Sequence, residues 1–93
     1  MVKHIVMWTL RDKADAVEIK TRLEDLAGKI PGLLNIEVGI DFLESEQSAD
    51  VVLVAELEDR DALQTYQVHP AHQAVVPLVK AAAVARTVVD YEL

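Results

Sequence analysis

The side chains of this sequence best suited to moving protons are three histidines, His4, His69 and His72, and two tyrosines, Tyr66 and Tyr91. Three of the five fall in one short string, Tyr66-Gln67-Val68-His69-Pro70-Ala71-His72. A neutral imidazole, with an ordinary pKa of about 6.5, takes a proton from a carbon flanked by carbonyls, where enolate resonance raises the acidity. A phenol donates a hydrogen bond to the oxygen on which enolate charge develops, and the effect is largest in a dry pocket. One chemistry these residue types allow is therefore proton abstraction to an enolate. His72 is the candidate base, Tyr66 the group that orients it or polarises the carbonyl, and His4 the group that holds the substrate or the correct tautomer from a neighbouring strand. Pro70 interrupts any helix between Tyr66 and His72, and that break permits a convergence that a straight helix would not obviously give.

Each residue also has a plain structural role open to it. His69, directly before a proline, suits a turn or an N-cap whose ring bonds to nearby backbone. His72 could hydrogen-bond to the opposing strand, Tyr66 could be a core aromatic with its hydroxyl satisfied, and His4 could be a satisfied core histidine. Trp8, Phe42 and the aliphatic strand residues could line a pocket or simply fill the core. Three histidines permit a zinc site by count alone, but the His69 and His72 pair is weak support for one. The chain has no cysteine, which excludes a disulfide framework, a thiolate nucleophile, a thiolate metal site and an iron–sulfur cluster. Neither a cofactor nor a metal is expected.

Hydropathy patterning supplies the elements that must position these groups. Val2, His4, Val6, Trp8 and Leu10 share one parity of a strand, with Ile5 and Met7 on the other. From about Ala14 the period becomes helical, with Ile19, Leu23, Leu26 and Ile30 on one side, Asp12 or Asp15 as cap, and Gly28 and Pro31-Gly32 as the stop. Leu34, Ile36, Val38, Ile40 and Phe42 alternate with polar residues as a second strand. Residues 44–50 read as a loop, and Val51 to Leu57 as a third strand covered on both sides. Asp59 is placed to cap a helix carrying Ala62, Leu63 and Tyr66; a second piece restarts at Pro70 and bends near Pro77, and Ala83 to Tyr91 forms a fourth strand.

The order β-α-β-β-α-β predicts a single α+β domain over residues 1–93 of the ferredoxin-like kind, with both helical regions on one sheet face. The other face is left bare. With 52% hydrophobic residues in a 93-residue chain and a mean hydropathy of +0.18, there is more apolar side chain than one small core absorbs. A second copy is the expected cover, giving a homodimer in which two sheets meet face to face and curl toward a barrel. Sixteen acidic against nine basic side chains give a net charge of -7, without a local Lys/Arg cluster, which disfavours nucleic acid and anionic membranes as partners. No apolar run is long enough to span a bilayer. Met1-Val2-Lys3-His4 leads straight into a strand without a secretory pattern, so a cytoplasmic protein is expected.

The order of elements, the opening Lys3-His4-Ile5-Val6 strand and above all the Tyr66 to His72 string resemble the stress-responsive dimeric α/β-barrel (Dabb) domain over essentially the whole chain. The resemblance implies a homodimer with a central barrel and a cavity between each sheet and its helices. It is fairly specific for the fold and poorly specific for any one activity. A distant similarity extends to plant olivetolic acid cyclase, which closes a linear polyketide by aldol condensation; its motif tyrosine, last motif histidine and first-strand histidine correspond to Tyr66, His72 and His4. One plant member of the family binds magnesium near its dimer interface, but no multi-carboxylate constellation stands here to reproduce that site. Two function classes follow: an enzyme or binder of a small hydrophobic, polyketide-like carbonyl compound, and a non-catalytic stress or accessory homodimer.

Overall fold

A computed structural model describes residues 1–93, in the order β1 (Val2–Leu10), α1 (Ala16–Glu24), β2 (Leu33–Ile40), β3 (Val51–Leu57), α2 (Arg60–Val68), α3 (Pro70–Gln73), α4 (Val76–Ala82) and β4 (Ala83–Glu92). The strands form one sheet in the order β2-β3-β1-β4, each neighbouring pair antiparallel. This is the ferredoxin-like α+β arrangement that the element order predicts. Each crossover skips one strand, so β1 and β3 lie at the centre and β4 is an edge.

Alternation decides which side chains of the sheet meet the helices. Val2, His4, Val6, Trp8 and Leu10 of β1 are all buried, as are Val51, Leu53, Ala55 and Leu57 of β3. Against them pack Ile19 and Leu23 of α1, Ala62 and Tyr66 of α2, and Val79 and Ala82 of α4, in one continuous core. Burying each such aliphatic side chain stabilises the fold by about 1.5–3 kcal/mol, and His4 is the only buried residue outside the hydrophobic class. The opposite parity, with Ile5 and Met7 of β1, Val52 and Val54 of β3, and Val89 and Tyr91 of β4, faces away from every helix and is only partly covered. The expectation that β3 is covered on both sides thus holds within the chain for one side alone.

Several boundaries differ from those the periodicity predicts. Helix α1 ends at Glu24, although Leu26 and Ile30 are buried as expected. Beyond Glu24 the backbone tightens into turns in which Leu26 N–H donates to Leu23 O and Lys29 N–H to Leu26 O, and this spacing keeps both apolar residues on the core side. Asp12, not Asp15, provides the cap: its Oδ1 accepts from Ala14 N–H at 2.9 Å at a 3-10 turn over Lys13–Asp15. In β2 the register slips between Leu33 and Asn35, so Leu34 is the extra residue of a bulge and leaves the face shared by Ile36 and Val38. The strand ends at Ile40, which places Phe42 in the following loop, 93% exposed, rather than in the core. Glu24 ties α1 to this edge strand, accepting from Val38 N–H at 3.0 Å and Lys20 Nζ at 2.9 Å. The Lys20 hydrogen bond above all holds its carboxyl below the ordinary range.

Gly32 fixes the corner from which α2 departs. Its φ is +82°, its carbonyl accepts from Glu58 N–H at 3.0 Å, and an added Cβ would lie 2.6 Å from the Cβ of Ala62. Gly28 has a similar φ of +78° but open space around it. Gly28→Ala is therefore expected to lose about 1 kcal/mol from backbone strain alone, and Gly32→Ala about 2–4 kcal/mol because overlap is added to strain. Urea denaturation of the two variants measures the difference; equal losses would contradict the role given to the Gly32 and Ala62 contact.

Candidate active site

The second helical region is broken where Pro70 stands, and the hydrogen bonds there account for the placing of His72. Pro70 has no N–H to give to the carbonyl of Tyr66, which accepts instead from His69 N–H at 3.3 Å. His69 becomes the N-cap of α3: it is extended (φ -63°, ψ 135°), and its ring Nδ1 accepts from Ala71 N–H at 3.0 Å. Ala71 N–H is the donor that a continuous helix would aim at the carbonyl of Gln67. That carbonyl is left to side chains, and accepts from Gln73 Nε2 and from the ring of His72, whose Nδ1 lies 3.2 Å away.

A carbonyl only accepts, so this bond requires the hydrogen of neutral His72 on Nδ1 and leaves Nε2 as a free base. The ring lies against Tyr66, with centroids 4.4 Å apart and planes tilted by 38°. His4 meets the same tyrosine edge-on at 5.8 Å. The break thus brings together Tyr66, His72 and His4, whereas His69 is turned to its cap and Tyr91 lies on the open sheet face. The hydrogen bond from His72 runs within its own helical region and does not reach the opposing strand.

Burial sets the electrostatics. Desolvation lowers the His72 pKa below its ordinary value; the bond to Gln67 opposes this, while the charges of His4 and Arg86 add to it. Tyr66 is fully buried, which pushes its pKa up to about 12 against a smaller pull from Arg86, so it stays a neutral donor. Its hydroxyl has no hydrogen-bond partner in the protein, contrary to the reading of Tyr66 as a satisfied core aromatic. Leaving such a group unpaired costs about 1–3 kcal/mol.

His4 and His72 both face a cavity of about 480 Å³ between the sheet and the last two helices. Trp8, Val75 and Val79 form part of its apolar wall, and Tyr66 stands behind the two histidines rather than in the wall itself. Two neighbours on β4 escaped sequence reasoning. Asp90 pairs with His4 across the β1 and β4 ladder and its carboxylate accepts from Nδ1 of His4, fixing that ring. Arg86, opposite Trp8 in the same ladder, reaches the cavity. The available signal was a lone charge at each place within the otherwise uncharged run from Ala81 to Tyr91. No three side chains of metal-binding type converge anywhere in the chain.

Residues 2–93 match the model of the stress responsive A/B barrel domain family. The crystal structure of a dimeric protein of unknown function and ferredoxin-like fold from Bacteroides fragilis shares 32% identity, with 99% of this chain and 95% of that one covered, and a TM-score of 0.89. A dimeric ferredoxin-like protein of unknown function from Thermobifida fusca shares 30% identity over 99% of this chain and 90% of its own, with a TM-score of 0.87. At 13% identity, the hydroxynitrile lyase of Passiflora edulis shares the fold, with a TM-score of 0.84 over 99% of this chain and 92% of its own. None of the curated proteins matches the chain.

The direction of the His72 shift has a measurable sign. Its folded-state pKa lies below the unfolded value, so between the two the unfolded chain binds the extra proton and stability falls as pH drops from about 6.5 toward the folded pKa. An NMR titration of the His72 ring is expected to give a midpoint below 6.5; a midpoint at or above that value would contradict the burial argument.

Proposed function

The chain belongs to the stress responsive A/B barrel domain family, and we propose that it acts as a cytoplasmic homodimer that binds a small hydrophobic carbonyl compound between sheet and helices and abstracts a proton beside the carbonyl. The observation that carries this reading is His72: a ring fixed through Nδ1, with Nε2 free and its basic form favoured by burial, on the wall of an apolar cavity. The C–H bond next to the substrate carbonyl breaks toward Nε2, and its electron pair becomes the enolate. Tyr66, in ring contact with His72, positions the base, and its unpaired hydroxyl supplies a donor for the enolate oxygen once the substrate displaces the surrounding side chains. His4, held on Asp90, orients the tyrosine from the other side. Attack of the enolate carbon on a second carbonyl of the same molecule would form the new carbon–carbon bond, and the resulting alkoxide would recover the proton from His72. No electron is gained or lost.

The dimer is supported by the partly exposed sheet face, with Ile5, Met7, Val54, Val89 and Tyr91, and by the dimeric state of the proteins from Bacteroides fragilis and Thermobifida fusca. Burial of that face by a second copy would close the two sheets into a barrel. No helix is long and apolar enough to cross a membrane. A second reading, a non-catalytic stress or accessory homodimer, is favoured by one observation: the ring bonds of His69 and His72 both serve the turn that anchors α3.

Exchange in D₂O separates the two readings. With 2,4-nonanedione or a medium-chain methyl ketone as probe, the protein is expected to accelerate deuterium uptake at the carbon beside the carbonyl, and His72→Ala to lose about 10²–10⁴-fold of that acceleration. Tyr66→Phe, which keeps the ring contact but removes the unpaired hydroxyl, is expected to lower the exchange rate while leaving stability equal or higher. No exchange above buffer, together with marked loss of melting temperature in His69→Ala and His72→Ala, would favour the non-catalytic reading. Sedimentation velocity of the wild type is expected to show a dimer, and the double variant Ile5→Glu, Val54→Glu a monomer; a wild-type monomer at all concentrations would overturn the assembly.

A further inference from the structure

The distribution of ion pairs singles out two cations. The chain has nine Lys and Arg side chains among sixteen carboxylates. Lys3, Lys13, Lys20, Arg22, Lys29 and Arg60 each lie within 4.0 Å of a carboxylate. Arg11 donates its Nε–H to the carbonyl of Ala81. Lys80 and Arg86 have neither kind of partner, and both line the cavity that holds His4 and His72.

This is an unusual placement in an acidic protein. A net charge of -7 supplies carboxylates in excess, yet none is set against the two cations of an otherwise largely apolar wall. Asp90, four residues from Arg86 on the same face of β4, is already engaged by His4. Both cations are exposed at the solvent side, where a low-dielectric cavity concentrates their field and offers it to whatever enters. The charge of Arg86 also acts on Tyr66 and His72, which places it within electrostatic reach of the proposed base.

We infer that the substrate carries a carboxylate, seated by Arg86 and Lys80 at the cavity mouth while its apolar chain and reacting carbonyl extend inward to His72. This rests on the reading of the cavity as a carbonyl-compound site and narrows it to keto acids. A guanidinium presents a planar fork that a carboxylate matches with two parallel hydrogen bonds, and Lys80 adds a point charge. In the β1 and β4 ladder Arg86 stands opposite Trp8 and Asp90 opposite His4, so the cation lies about 13 Å along the strand from the end of the site that His4 occupies. A neutral ketone would fill the same cavity and leave both cations unpaired.

Trp8 is the only tryptophan and lies in the cavity wall, so its fluorescence reports occupancy directly. Titrations with 5-oxodecanoate and with its methyl ester, at low ionic strength, measure the contribution of the charge. The acid is expected to bind the wild type about tenfold more tightly than the ester. Arg86→Gln is expected to bring the acid down to the affinity of the ester while ester binding stays as it was, and Lys80→Gln to cause a smaller loss of the same kind. Arg60→Gln, which removes a cation outside the cavity, is expected to change neither. Equal affinity of acid and ester in the wild type, or an Arg86→Gln variant that binds the acid as well as before, would overturn the anion site and leave the cavity reading intact. If Arg86→Gln lost both ligands alike, Arg86 would be a packing residue and the inference would equally fall. If neither ligand perturbed Trp8, the cavity reading itself would fall, and this inference with it.

Discussion

Where α2 meets Pro70, the carbonyl of Gln67 loses the amide that a continuous helix would give it, and the imidazole of His72 takes that amide's place. Most of the site follows from this exchange. His69 draws Ala71 N–H onto its own ring, Pro70 has nothing to donate, and the chain turns sharply enough for His72 to lie over Tyr66, six residues earlier in sequence. The same bond settles which ring nitrogen carries the hydrogen. The proline break and the His69 cap together therefore set both the position of the imidazole and its tautomer.

The sheet contributes the complementary half. His4 is carried on the central strand β1 and is bonded to Asp90 of the edge strand, so one wall of the site belongs to the middle of the sheet and the other to the interrupted helical region. Burial then acts in opposite senses on the two groups between them: it weakens the proton affinity of His72 and strengthens the hold of Tyr66 on its proton. A free base beside a neutral donor is the pairing that enolate chemistry uses. The helix-free face plays no part in this arrangement, and its Ile5, Met7 and Val54 are the side chains that the proposed dimer would cover.

What the residues revealed, and what they concealed, divides along physical lines. Period-two alternation in β1 is enforced by the core and was legible, as was the restart at Pro70, because proline leaves few alternatives, whereas the unbroken apolar run of β3 hid which of its sides meets the helices. Leu34 and Phe42 shared the parity of β2 yet left its buried face, because a bulge consumes one residue without any compositional mark and the strand ends two residues before Phe42. Leu26 and Ile30 kept helical spacing while the helix had ended, since turns with i to i+3 bonds present the same face. Asp90 and Arg86 were hidden for another reason. Edge-strand charges look like solvated ones, and only the register with His4 and Trp8 shows that they stand beside the cavity.

The tautomer of neutral His72 tests the central claim most directly, because an unconstrained imidazole prefers the hydrogen on Nε2. A long-range ¹H–¹⁵N correlation spectrum recorded above the ring's titration midpoint distinguishes a protonated Nδ1 from a protonated Nε2. The account predicts the hydrogen on Nδ1, bonded to the Gln67 carbonyl, with Nε2 bare toward the cavity. A hydrogen on Nε2 would mean that the broken helix does not hold the ring, and the assignment of His72 as base would fail with it.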